Sequence, residues 1–190
     1  MPSLLEVRVD PAQLERVANL IGALGKNAGP AITRAINHTG DVAKTQMIRT
    51  LTTQTGLRRQ TIVKALRVTA AATAGGAYTI RSRGGDISLK YFGARETRAG
   101  VSAAPFGQRR IFAGSFIKGG RFPNRVALSK GNGQVFQRAG SSRLPITKLD
   151  SGVFIPKEMT EGATAAVFQA TVAARLPDRL AHEMLRAIGG

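Results

Sequence analysis

Apolar and polar residues change period several times along this chain, and each change marks an element boundary. Leu5, Val7 and Val9 alternate with Glu6, Arg8 and Asp10, the pattern of a short, half-buried strand. Asp10 followed by Pro11 then supplies an N-cap and a first helical residue, and Leu14, Val17, Ala18, Ile21 and Leu24 recur at helical spacing until Gly25 offers a stop. After Gly29 a longer helix is predicted to about Thr53. Its stripe is Ile32, Ala35, Ile36, Thr39, Ala43 and Met47, with Arg34, Lys44 and Arg49 turned away. Thr55 is expected to cap a third, short helix whose Leu57, Ile62, Ala65 and Leu66 face inward and whose Arg58, Arg59 and Lys64 are left outside.

From Arg67 the period falls to two. Val68, Ala70 and Ala72, a turn at Gly75 and Gly76, then Tyr78 and Ile80 form a hairpin signal, and Ile87, Leu89 and Tyr91 alternate again as a strand would. Residues 93–105 have no stable period and many small side chains, which predicts a mobile loop ordered on assembly. Short β segments are expected around residues 111–117, 126–128, 135–137 and 153–155, with glycine turns at Gly119 and Gly120 and at Gly131 and Gly133. Two helices should close the chain. The first carries a small-residue stripe of Met159, Ala163, Ala166, Val167 and Ala170 beside a second stripe of Phe168, Val172 and Leu176, so it wants neighbours on more than one side. Pro177 should kink or restart it, with Asp178 at the new N-terminus and Leu180, Ala181, Met184, Leu185 and Ile188 on the next apolar face. The fold class is α+β: N-terminal and C-terminal helices packed on a small, mainly antiparallel sheet, with long basic loops. One domain is expected over residues 1–190, helical over 11–66, basic and β-rich over 67–156, and helical again over 157–188.

Charge changes this picture more than composition does. Residues 81–148 carry 14 Lys and Arg against Asp86 and Glu96, a net +12 of the chain's +17. Uncompensated charge on that scale repels itself in a compact body and draws in polyanions or acidic protein surfaces. The side chains expected to face a partner or DNA are Arg58, Arg59, Lys64, Arg109, Arg110, Lys118, Arg121, Arg125, Arg138 and Arg143. With 5% aromatic residues and no Trp, stacking platforms for single strands are weakly supported, and no helix shows base-reading spacing.

Catalytic chemistry finds little to work with. There is no Cys, so no disulfide, thiolate metal site or cysteine nucleophile can form. His38 and His182 each lack a second His at i+3 or i+4 and read as surface or packing residues. Two carboxylates in the basic middle are too few for a two-metal nuclease unless Asp150, Glu158 or Glu161 join them, and those suit helix ends better. No GxxxxGK[ST] or GxGxxG occurs, and Gly84 with Gly85 reads as a turn. No catalytic, metal or cofactor residue is therefore assigned. The first residues lack an apolar h-region, so no signal peptide is expected, and no window reaches the ~20 apolar residues of a spanning helix.

The order of segments resembles the minor tail protein Z family of tailed bacteriophages, the lambda-like tail completion proteins. The likeness is carried by AITRAINHTGDVAKTQ, TGLRRQTIVKALRV, QRRIFAGSFIKGGR, VFQRAGSSRLPITKLDSGVFIP and ARLPDRLAHEMLRAI. Its most specific pieces are the Arg110 to Ile117 core, the run from Gln137 to Ile146, and the Leu-Pro-led last helix. Residues 70–77 and 93–105 lack the dense Arg and Lys runs associated with the family. The resemblance implies a structural, non-enzymatic virion component with no cofactor, made in the host cytoplasm and placed where tail joins head. It implies a ring around the DNA channel, hexameric in preference to dodecameric. The neighbours would be tail-terminator, tail-tube or head–tail connector proteins, with the genome end as a further contact and no membrane. The alternative from charge alone is a sequence-independent nucleic-acid-binding protein.

Overall fold

The computed structural model describes residues 3–15, 18–121, 123–128 and 131–189. The first strand, β1 (Ser3–Val7), leads into α1 (Pro11–Glu15), whose start is closed reciprocally: the Gln13 amide donates to Asp10 Oδ1 at 2.9 Å and the Asp10 amide donates to Gln13 Oε1 at 3.3 Å. The Asp10 cap is thus as expected, while Val17 lies outside the described residues. Next comes α2 (Ala18–Leu24), and Gly25 at φ 51° ends it. The long α3 (Ala28–Thr55) buries Ile32, Ala35, Ile36, Thr39, Ala43 and Met47, the whole expected stripe. It stops at Gly56, whose left-handed backbone closes the last turn onto Thr52 O.

The short α4 (Arg59–Ala65) begins at Arg58, not under a Thr55 cap. Thr55 belongs to the end of α3, where its hydroxyl donates to Leu51 O and accepts from the Leu57 amide. Strands β2 (Leu66–Thr69) and β3 (Tyr78–Ser82) form the expected hairpin, and β1 pairs with the other side of β3, giving the order β1-β3-β2. This sheet lies close against α3 because of Gly40. A Cβ there would stand 2.3 Å from Tyr78 Cγ, so only glycine lets the ring reach the helix backbone. The Tyr78 hydroxyl donates to Asp41 Oδ1 at 2.8 Å, and Lys44 closes on the same carboxylate at 2.6 Å. Burial, then the bond to Asp41, pushes the Tyr78 phenol up to about 12. Burial of Asp41 acts upward too, but the hydrogen bonds from Lys44 and Tyr78 outweigh it and hold the carboxyl below its ordinary value.

In the middle of the chain two expectations fail. The alternation at Ile87, Leu89 and Tyr91 is a 3₁₀ turn over Leu89–Phe92, with Leu89 and Phe92 buried and Tyr91 exposed. Residues 93–105 are not a free loop: β4 (Arg95–Glu96) and β5 (Gly100–Ala103) form a hairpin, and β6 (Arg110–Ala113) adds to it. Val101 and Ala103 are fully buried there. Gly100, at φ 152°, leaves only 2.1 Å between an added Cβ and Phe112 O, so the small residues serve close packing. Then follow β7 (Ser115–Phe116), β8 (Lys118–Gly119), β9 (Val126–Ala127), β10 (Phe136–Arg138) and β11 (Ile146–Lys148). They make a third three-stranded sheet in the order β11-β10-β7 and a two-stranded β8-β9 ribbon. Among the described residues the β structure is thus several small antiparallel sheets in place of one. Residues 153–155 are no strand; they lead into α5 (Ile155–Thr160).

The last element, α6 (Gly162–Ile188), runs unbroken through Pro177, where two helices were expected. Position i−4, Ala173, is exposed, so the carbonyl that loses its donor sits on a solvated residue. The buried face is Thr164, Phe168, Leu176, Leu180, Glu183 and Met184, whereas Ala163, Ala166, Ala170 and Leu185 are exposed. Of the expected small-residue stripe, Met159 in α5 is buried and Val167 half-buried, and the alanines do not face the core. The main interface of the molecule is α3 against α6. Polar ties at opposite ends make the pair antiparallel. At one end Gln54 Oε1 accepts from the Thr164 amide and hydroxyl, capping α6 from across the interface, while Gln54 Nε2 donates to Glu158. At the other, Glu183 takes Arg34 Nε at 2.8 Å and Arg179 Nη2 at 2.5 Å.

Candidate functional site: an arginine-lined cavity

Loops between the small sheets bring basic side chains together that are far apart in sequence. The β8-β9 ribbon, the turn after β4, and the β10-β11 connection surround an open cavity of about 910 Å³ lined by Arg98, Arg121, Arg125, Arg138 and Arg143. A smaller adjoining hollow of about 160 Å³ shares Arg98, Arg125 and Arg138 and adds Lys118. Of the residues selected from sequence, Lys118, Arg121, Arg125, Arg138 and Arg143 converge here. Arg98 was missed because it lies in the segment read as loop; its signal was its place two residues after Glu96 in a chain otherwise short of acids.

The remaining selections go elsewhere. Arg58, Arg59 and Lys64 are exposed on and beside α4 and line neither hollow. Arg109 reaches Ser102 Oγ at 3.2 Å and the carbonyls of Gly93 and Ser102 at 3.4 Å, which ties it to its own hairpin. Arg110 lies over the Phe112 ring, 4.7 Å from the centroid.

The cavity arginines differ in what they already hold. Arg125 Nη1 donates to Glu96 Oε1 at 2.6 Å, and the same oxygen accepts from the Ile117 and Lys118 amides at 3.3 and 3.4 Å. This carboxylate fastens the β4-β5-β6 sheet to the β8-β9 ribbon, and both partners are largely buried. Arg138 rests over the Phe116 ring at 5.8 Å, and Phe116 leans on Phe136 with centroids 6.3 Å apart. Arg98, Arg121 and Arg143 make no ion pair or side-chain hydrogen bond among the described residues, and all three are exposed.

The acids of the middle region have structural work. Asp86 accepts from the Ser151 amide at 3.0 Å and the Gly152 amide at 2.8 Å, holding that turn, and Lys148 pairs with Asp150 at 2.6 Å. Among the described residues no three His, Cys, Asp or Glu gather closely enough to hold a metal ion. His38 and His182, unrelated in sequence, line one cavity of about 380 Å³ between α3 and α6 with Asp178, Arg175 and Arg179.

The chain is thus an α+β body with a cationic concavity, and its middle-region acids hold turns of the fold. The sequence matches the family of prophage minor tail protein Z over residues 14–188, and the chain belongs to that family. No curated protein and no solved structure matches it significantly. The chain is accordingly a bacteriophage tail structural protein, a component of the virion. Among the described residues no helix is long and apolar enough to cross a membrane.

Proposed function

We propose that this chain is a tail-completion subunit at the head-proximal end of the phage tail. It forms a ring around the DNA channel, six-fold in preference to twelve-fold, and is needed to finish tails and join them to heads. Its role is structural and not catalytic. The chain folds in the host cytoplasm and is carried into the particle during assembly. The observation that carries this reading is family membership over residues 14–188, in a chain with a cavity lined by five arginines.

The physical logic is conditional assembly. Subunits of +17 repel one another, so closure of a ring is favoured once acidic neighbours neutralise the basic side. Those neighbours are the tail terminator, the tube or the head–tail connector, and the genome end is a further polyanion within reach of the channel. Contact with DNA has to stay weak, since affinity falls with salt by a log slope of about 0.9 for each phosphate neutralised, and a tight grip would stall ejection.

Quantitative mass spectrometry of purified particles tests the reading. Copies in a fixed ring stoichiometry relative to the portal are expected; absence from intact, infectious particles refutes it.

A further inference from the structure

We propose that the arginine cavity is a receptor for an acidic peptide segment of a partner protein, one presenting several Asp or Glu side chains on a loop or tail. This deepens the reading of the basic face as a contact surface and does not depend on the ring. The first argument is chemical. One lining arginine already holds a carboxylate: Glu96 Oε1 accepts from Arg125 at 2.6 Å and from two adjacent backbone amides. Planar guanidinium groups bind carboxylates through paired N–H donors, and lysine lacks that fork. Among the described residues the larger cavity is lined by arginine and by no lysine.

The second argument is shape. The guanidinium groups converge on a concavity of about 910 Å³, into which acidic side chains can reach. A nucleic acid backbone is a ridge of evenly spaced phosphates, which a stripe of cations follows better than a bowl does. The remaining selected cations line neither hollow: Arg109 and Arg110 are held on their own hairpin, and Arg58, Arg59 and Lys64 are on or beside α4. Among the described residues the aromatic ring lining these hollows, Phe116, is engaged by Arg138 and Phe136 and is no free stacking platform.

The third argument is availability. Arg98, Arg121 and Arg143 are exposed and unpaired among the described residues, and Arg138 has only the ring. Arg125 is already engaged by Glu96. An incoming segment therefore meets four arginines whose charge is not yet matched, on a frame fixed by the fifth.

The test is direct binding by the purified full chain, read by fluorescence anisotropy across a salt series. The probes are a labelled poly-glutamate peptide and single- and double-stranded oligonucleotides of equal formal charge. Saturable peptide binding that is tighter than either oligonucleotide, and weakened about tenfold or more by the double variant Arg121→Ala/Arg143→Ala, is expected. Both positions are exposed, and an unchanged thermal melt shows that the variant folds. Equal or tighter oligonucleotide binding, no peptide binding, or peptide binding indifferent to the double variant would each overturn the proposal. The readout uses the isolated chain. A failed particle count would therefore remove the neck reading and leave this site standing, and the reverse holds as well.

Discussion

Gly40→Ala should destabilise the fold, although helix propensity alone predicts the opposite. Alanine in the interior of α3 gains about 0.5–1 kcal/mol over glycine. Against that, the new methyl would lie 2.3, 2.4 and 2.7 Å from Cγ, Cδ1 and Cδ2 of Tyr78, inside any tolerable carbon contact. The ring cannot swing away cheaply. It is buried to 2% exposure, its hydroxyl is held by Asp41, and its strand is paired on both sides, to Val7 in β1 and to β2. Overpacking of this kind costs about 1–3 kcal/mol, and a site so constrained belongs at the upper end. The net loss should be about 2 kcal/mol, a fall in Tm of roughly 4–8 °C for a chain of this size. Thermal and urea melts followed by circular dichroism measure it. Tyr78→Leu should be destabilising alone yet partly rescue Gly40→Ala, with a coupling of about 1 kcal/mol or more in a double-mutant cycle. A Tm that rises in Gly40→Ala, or strict additivity in the cycle, would refute the claim that ring and helix backbone are in contact.

Two further outcomes follow from the α3–α6 pair. The hydrogen bond from Arg34, against the opposing effect of burial, holds Glu183 below the ordinary carboxylate value of 4.5. Its charge therefore stabilises the fold above about pH 4.5, and that contribution is lost as pH falls through the lower folded value. Glu183→Gln should cost about 1–3 kcal/mol near neutrality and progressively less in acid; a difference that stays constant down to pH 3 would contradict it. Pro177→Ala should restore a helical hydrogen bond donor inside α6 and raise Tm by roughly 2–4 °C, since the intrinsic penalty of about 3 kcal/mol is only partly relieved by the solvated Ala173. A lowered Tm would mean that the proline ring carries packing the helix needs.

The long elements were legible because their burial is one-sided and their ends are chemically marked. The α3 stripe, the Asp10 cap with its Gln13 partner, and the β2-β3 hairpin around Tyr78 all obey local rules. Where reading failed, a local rule met a tertiary one. Leu89 and Phe92 are three apart, the spacing at which a 3₁₀ turn buries two side chains, yet the stronger visible signal was alternation. The residues around Gly100 were small because Phe112 O leaves no room, and smallness in sequence looks the same whether it serves a loop or a tight hairpin. Pro177 was read as a break, but a proline whose i−4 position is solvated can stay in a helix held along its length by a neighbour. At the site, total charge announced the basic face, and half of the selected residues do converge. Convergence itself depends on which small sheet each arginine rides, and the Glu96 to Arg125 link that sets this spans 29 residues.

That link also divides the molecule mechanically. At 1.5 Å per residue, the 28 residues of α3 and 27 of α6 make a strut roughly 40 Å long, pinned at both ends. The cationic half has no such beam. Among the described residues it is a cluster of two- and three-stranded sheets, joined by the Glu96 to Arg125 ion pair and by single hydrogen bonds, from the Val101 amide to Ser115 Oγ and from Gln137 Nε2 to Ala113 O. The two helices pack along their length, whereas the sheets are tied to one another by few polar bonds. Should the proposed acidic segment seat there, these lightly joined sheets would let it turn against the stiff helical pair without letting go.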